Sequence, residues 1–278
     1  MAALLSIKTL KKKTEERGII GFFQSQAGAK GWPFLASWTQ RITGIILIFF
    51  VWIHIIFLSS LKHPEIFDTK AKILSFPLFT FFEWALALPV IYHALNGGRI
   101  ILYEFFDVKE DDLVLKWVVF LSILYSLILG IFMIIGNQTV SAFFFWTNVI
   151  FVSLCLVFII SKRVKQSGMS LFWKIQRISG VFLLCIIPAH MLFMHLNLTV
   201  GHTSHSILSR MNNPFIKIIY LITVIAVLFH GAYGLLTIIQ DYLPSRGRKK
   251  SLRSLLSWST GIITIIIGLI GVKLIFQI

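Results

Sequence analysis

Four histidines carry the chemistry open to this sequence, and each sits inside a long apolar run. His54 and His190 each follow a Gln-Arg-Ile-Thr/Ser-Gly motif, at Gln40–Gly44 and Gln176–Gly180, with thirteen residues from Arg41 to His54 and from Arg177 to His190. His93 and His230 open a second repeated pattern, with a glycine four residues on (Gly97, Gly234) and an acid eleven residues on (Glu104, Asp241). Ionisable side chains are costly in hydrocarbon and persist there where they bind or react. One such histidine is as readily a structural hydrogen-bonding residue, but four at duplicated spacings point to ligation. Imidazoles from two antiparallel helices can fill both axial positions of a haem iron, which excludes small ligands and favours electron transfer. No Cys-x-x-Cys-His run is present, so the haem is b-type and non-covalent. Pairing duplicate with duplicate joins His93 to His230 and His54 to His190. Measured from Arg41 and Arg99 at 1.5 Å per residue, His93 lies about 9 Å and His54 about 20 Å from the inner interface. Two haems are therefore predicted, one inner and one outer, with Gly97 and Gly234 leaving room for a flat macrocycle beside the inner ligands.

The elements that must hold these residues are membrane helices. With 57% hydrophobic and only 13% charged residues, the chain is far from the composition of a soluble globule. Seven apolar stretches reach the length needed to cross a bilayer, at roughly 35–60, 77–103, 114–136, 141–161, 172–197, 214–240 and 256–277. The predicted fold is an all-α integral membrane bundle in which spans one and two are repeated as spans five and six. Residues 1–34 read as a cytoplasmic N-terminal segment and 35–278 as one transmembrane domain. The net charge of +15 could suggest nucleic acid. The basic residues cluster in short loops beside spans, however, including Lys162, Arg163, Lys165 and Arg246, Arg248, Lys249, Lys250, Arg253. The positive-inside rule accounts for them without a nucleic-acid partner, and it puts the amino terminus in the cytoplasm. Membrane lipid is the surrounding partner.

Several other residues invite a reading. Glu83 stands near the outer end of span two. Pro188 should kink span five beside His190, and His195, 140° further round that helix, should face elsewhere. His202 and His205 read as solvated loop residues, and the Asn137-Gln138-Thr139 sequon as chance. Cys155 and Cys185 lie inside spans and read as small core residues. Spans three and four carry no histidine and read as scaffold.

Three stretches together carry a resemblance: Ser37-Trp-Thr-Gln-Arg41-Ile-Thr-Gly44, His93-Ala-Leu-Asn-Gly-Gly-Arg99 ending in Glu104, and His230-Gly-x-x-Gly234 ending in Asp241-Tyr242. They resemble the cytochrome b membrane anchors of succinate dehydrogenase and fumarate reductase, over roughly 35–105 and 170–245. The chain looks like the single-chain dihaem form, whose four histidines come in this order. That form has five spans, so spans three and four look like an insertion. The Ser37/Arg41 and Asp241-Tyr242 signatures are more typical of two-chain, single-haem anchors.

The resemblance implies an anchor in the cytoplasmic membrane that holds a flavoprotein subunit and an iron-sulfur subunit. It would pass electrons to or from a quinone, menaquinone or ubiquinone, in electron transport and the tricarboxylic acid cycle. Ser37, Arg41, Asp241 and Tyr242 can converge at the inner interface as a quinone site, where Ser, Tyr and Arg would donate to the carbonyl oxygens. Arg41 could instead pair with a haem propionate, and an outer site near His54 and Glu83 stays open. The rival readings are a dihaem anchor of another respiratory dehydrogenase and a polytopic transporter.

Overall fold

Hydrocarbon offers no partner to a backbone N–H or C=O, so each apolar stretch must close its hydrogen bonds internally as helix. The structure, a computed structural model, describes residues 31–108, 110–136, 138, 140–196, 203–243 and 249–277. In chain order the helices among the described residues are α1 (Trp32–Leu58), α2 (Pro64–Leu74), α3 (Pro77–Phe106), α4 (Asp111–Ile135), α5 (Ala142–Gln166), α6 (Leu171–His195), α7 (Ser204–Met211), α8 (Pro214–Tyr242) and α9 (Lys249–Gln277). Seven of them, all but α2 and α7, are long and apolar enough to cross a membrane. Prolines in the first turn start α1, α2, α3 and α8, where a missing N–H costs nothing. Side chains of Ser141, Ser170, Thr203 and Asn213 cap α5, α6, α7 and α8, each accepting from a first-turn N–H.

The helices overrun the expected spans at the basic ends. α5 continues through Lys162, Arg163 and Lys165 to Gln166, and α9 begins at Lys249 rather than at 256. Hydropathy reports the thickness of hydrocarbon, whereas a helix propagates past it because each added residue gains a bond, and Lys and Arg are good helix formers. Two stretches between the expected spans also depart from the expectation. They fold as α2 and α7, with His205 on α7 rather than in a loop. Asp68 on α2 ties the two together, accepting from the Ser204 backbone N–H and hydroxyl at 2.8 Å each. Residues 1–30, His202, Asn137, Arg246 and Arg248 lie outside the described residues.

Four helices form a ring: α1 packs on α3, α3 on α6, α6 on α8 and α8 on α1. The helices equivalent in the sequence repeat, α1 with α6 and α3 with α8, thus stand opposite each other. α9 seals one side through Ile48, Trp52, Ile55, Leu228 and Ile267. On the other side α5 packs on α6, and α4 packs on α3. Outward faces are apolar, as with Ile134 at 85% exposed and Trp258 at 71%, which is the surface lipid requires. Both core helices with an internal proline, α3 with Pro89 and α6 with Pro188, continue through it.

α4 does more than fill space. The Trp84 indole on α3 donates to the Ser126 carbonyl at 2.8 Å, and the Tyr125 hydroxyl donates to the Pro188 carbonyl at 2.5 Å. Gly130 makes the first contact possible, since a Cβ there would stand 2.8 Å from the Trp84 ring nitrogen. Gly130→Ala should therefore lower the thermal unfolding midpoint in detergent by an amount corresponding to about 1–3 kcal/mol of overpacking. Gly168→Ala, where nothing lies within 4 Å, should leave the midpoint unmoved.

Candidate cofactor site

The ring of four helices encloses a cavity of about 670 Å³, and His54, His93, His190 and His230 all line it. The histidines meet in the expected pairs. His93 on α3 faces His230 on α8 with ring centres 6.3 Å apart and planes at 89°. His54 on α1 faces His190 on α6 at 6.4 Å and 78°. Two metal–imidazole bonds of about 2.0 Å, each with about 1.1 Å from nitrogen to ring centre, put trans rings about 6.2 Å apart. The ring-centre separation of each pair is the one a single iron atom between them would require. Among the described residues no three His, Cys, Asp or Glu side chains gather as a protein-only metal site; two donors per site suit an iron whose other positions a macrocycle fills.

The inner pair is oriented by the motif that precedes the outer one. His93 Nδ1 lies 3.2 Å from the Gln40 carbonyl and 3.1 Å from the Thr43 hydroxyl. The second copy repeats this: His230 Nδ1 lies 3.3 Å from the Gln176 carbonyl and 3.4 Å from the Ser179 hydroxyl. A carbonyl can only accept, so Nδ1 carries the proton and Nε2 is left with its lone pair for a metal. Each glutamine side chain closes the loop, since Gln40 Nε2 and Gln176 Nε2 donate to the carbonyls of His93 and His230, both at 3.1 Å. The roles of Gln40, Thr43, Gln176 and Ser179 were not read from the sequence. The signal was present, because the repeated motif contains Gln and a hydroxyl as well as the arginine that attracted attention.

The repeated glycines fall into two groups. Gly97 and Gly234 line the cavity, but a Cβ at either meets a glutamine Nε2 at an ordinary 3.5 Å. Gly44 and Gly180, the last residues of the repeated motif, are the ones against the ligand rings, where a Cβ would stand 3.1 Å from Cε1 of His93 or His230. The ring comes from one helix and the glycine that admits it from its neighbour.

At the outer end Phe50 stacks on His54 at 5.5 Å and Tyr220 meets His190 edge-on at 5.9 Å. The buried Tyr220 hydroxyl has no hydrogen-bond partner among the described residues. Arg210 on α7 also lines the cavity there, its pKa lowered by burial against the opposing pull of Tyr220. His195 corrects the expectation that it faces elsewhere: it lines the same cavity, its Nε2 3.5 Å from Glu83 Oε1. A turn of 140° from His190 points it across to α3, where Glu83 stands, rather than into lipid.

At the inner end the acids pair across the repeat. Arg41 Nη2 lies 3.3 Å from Asp241 Oδ2, and Nη1 lies 3.5 Å from the Tyr242 hydroxyl. Arg177 pairs with Glu104 through both oxygens, at 2.8 and 2.5 Å. The two pairs differ in closure. Side chains of Arg41 and Asp241 are 42% and 46% exposed, those of Arg177 and Glu104 26% and 27%. Trp173 also lies under the Arg177 guanidinium at 4.8 Å. Arg41 and Asp241 line the cavity. Ser37, one turn earlier, bonds the Pro33 carbonyl of its own helix at 3.0 Å, so three of the four expected inner residues converge and the fourth stands beside them.

Comparison with known proteins follows this geometry. The sequence model of the succinate dehydrogenase/fumarate reductase transmembrane subunit matches residues 23–129 and 160–270. The succinate dehydrogenase 2 membrane subunit SdhC of Mycobacterium tuberculosis is 31% identical over 80 residues, which are 28% of this chain and 59% of that protein. The chain thus spans a little over half the length of that relative. No solved structure matches.

Because Gly44 has less room than Gly97, Gly44→Leu should displace His93 and abolish the inner-site spectrum of the purified protein. Gly97→Leu should disturb it less, through Gln40 alone. Visible and low-temperature absorbance spectra of the two variants check the order.

Proposed function

The chain belongs to the succinate dehydrogenase/fumarate reductase transmembrane subunit family, and we propose that it is the anchor that binds two b haems and passes electrons between an iron-sulfur subunit and a membrane quinone. The observation that carries this reading is the two histidine pairs facing each other across one cavity at separations that suit iron. A b haem held between two imidazoles supplies a one-electron couple with both axial positions closed. The chain's residues do the rest. His93 and His230 would hold the inner group and His54 and His190 the outer one. The backbone carbonyls of Gln40 and Gln176 keep the inner rings in the Nδ1–H tautomer, and most of the lining around them is apolar. Arg210 and Tyr220 would supply donors for an acidic group at the outer end, and Arg177 would do so at the inner end. The family match sets aside the transporter and the anchors of other dehydrogenases.

Quinone would react at the inner end. Charge developing on its carbonyl oxygens would be met by the Arg41 guanidinium and the Tyr242 and Ser37 hydroxyls, with Asp241 orienting Arg41 and relaying protons. Arg41 and Asp241 form the more open of the two inner ion pairs, which favours this copy over Arg177 and Glu104. The Glu83–His195 pair in the outer part of the cavity favours a second reading, a quinone site beside the outer histidines. In the first reading the amino terminus and basic loops face the cytoplasm, where they would dock the iron-sulfur subunit and, through it, the flavoprotein.

Haem measured per polypeptide in the purified protein is expected to be two, falling to one in His54→Ala with the inner signal kept. A value of one in the unmodified chain leaves the outer pair structural. In the assembled complex with both haems retained, Tyr242→Phe and Arg41→Leu should each lower quinone turnover by about tenfold or more. Full activity in both would move the quinone to the outer end.

A further inference from the structure

One half of the cavity has a device that the other lacks. Asn96 is fully buried and Arg99 is 6% exposed, although both are polar and both lie on α3 within two turns of His93. Arg99 Nη1 pairs with Asp111 Oδ1 at the start of α4, and Arg99 Nε donates to Asn96 Oδ1 at 2.8 Å. Asn96 Nδ2 donates to Gln40 Oε1 at 2.9 Å and to the Ala36 carbonyl at 3.2 Å. Gln40 Nε2 then donates to the His93 carbonyl at 3.1 Å. The bonds from Arg99 through Asn96 and Gln40 run in one direction, from the guanidinium, which can only donate, to the His93 backbone carbonyl.

That polarity settles an ambiguity. A primary amide fits its site about equally well in two orientations unless its neighbours distinguish donor from acceptor. Turning Gln40 over would set its NH₂ against the Asn96 NH₂ and its oxygen against the His93 carbonyl, two repulsive contacts in place of two bonds. Turning Asn96 over would set its NH₂ against Arg99. Among the described residues the second copy has no such chain. Tyr233 and Leu236 stand where Asn96 and Arg99 stand in the first, and the buried Gln176 Oε1 has no hydrogen-bond partner among the described residues. Asp111 has no acidic counterpart either: α9, which follows α8 as α4 follows α3, opens with Lys249 and Lys250, and the sequence holds no acid after Asp241.

We propose that Asn96 and Arg99, anchored by Asp111, are positioning residues that fix Gln40 between α1 and α3, so that its backbone carbonyl is held against the His93 Nδ1 and the His93 ring is the more rigidly held of the two histidines at the inner end of the cavity. The proposal rests on the reading of His93 and His230 as ligands of one haem. It also gives α4 a part in the site: the helix expected to be scaffold ends the chain of bonds that fixes one ligand. A buried, aligned series of hydrogen bonds strengthens each member, so breaking it at either link should loosen the same ring.

The test uses the full-length protein with its haems, read by low-temperature electron paramagnetic resonance and by redox titration. Low-spin ferric signals report the orientation of the axial rings, which a change of nearby charge alone does not alter. Asn96→Leu keeps the net charge and removes the link. Arg99→Lys keeps the charge but replaces the fork with a single ammonium that cannot serve Asn96 and Asp111 together. Both are expected to shift the largest g value and the midpoint potential of one haem and to leave the other haem and the haem content unchanged. Asp111→Glu, which preserves a carboxylate for Arg99, should retain the native signal. Unchanged g values in both Asn96→Leu and Arg99→Lys overturn the proposal, as does a shift in Asn96→Leu that moves both haems equally. An unmodified protein without two bis-histidine signals overturns the haem reading itself instead.

Discussion

A polar group in hydrocarbon has no water to turn to, so its partner must come from the protein. The cavity depends on how that constraint is met at one kind of contact, a glutamine reaching between helices to a histidine. Gln40 and Gln176 each offer a carbonyl to an imidazole Nδ1 and a side-chain amide to the same histidine's carbonyl. The contact satisfies groups that would otherwise be stranded, fixes the ring, and holds neighbouring helices in register. The open glycines at 44 and 180 follow from it, because a ring held this close to the next backbone leaves no space for a Cβ.

Much of this was legible in the sequence, and the part that was not has a physical pattern. Seven spans, the four cavity histidines and their pairing followed from hydropathy and from a repeat whose spacings match. Those quantities belong to one helix at a time, or to symmetry. What escaped was lateral: which neighbour a side chain meets depends on how helices are rotated and ordered, and spacing does not contain that. The acids illustrate the point. Glu104 follows His93 on α3 and Arg41 lies on the adjacent α1, yet Arg41 pairs with Asp241 and Arg177 takes Glu104. His195 and Glu83 were each noticed alone and met only in three dimensions. The short α2 and α7 escaped for a simpler reason, since they are too polar to register in a hydropathy window and too short to show a clear period.

The two halves are alike in what they contact and unlike in what surrounds the contact. Thr43 and Ser179, Gln40 and Gln176, and Gly44 and Gly180 do the same work. Around them one copy has Asn96, Arg99 and Asp111, and the other has Tyr233 with a half-used glutamine. At the inner rim one copy has Ser37 and Tyr242 beside its arginine, and the other has Trp173. Such divergence keeps the frame that orients the rings while letting each side of the cavity acquire its own polarity.

The diagonal arrangement of the helices bears on the order of synthesis. Each histidine pair takes one member from α1 or α3 and the other from α6 or α8, and both inner ion pairs span the same divide. A nascent chain that has delivered only its first three membrane helices has half of everything: single imidazoles, and an arginine and a glutamate whose mates are still untranslated. The outer histidine pair is complete only once α6 has entered the bilayer, and the inner pair only once α8 has. A product truncated between α6 and α8 would hold both outer histidines and only one of the inner two, so the two pairs are completed in sequence, the outer before the inner.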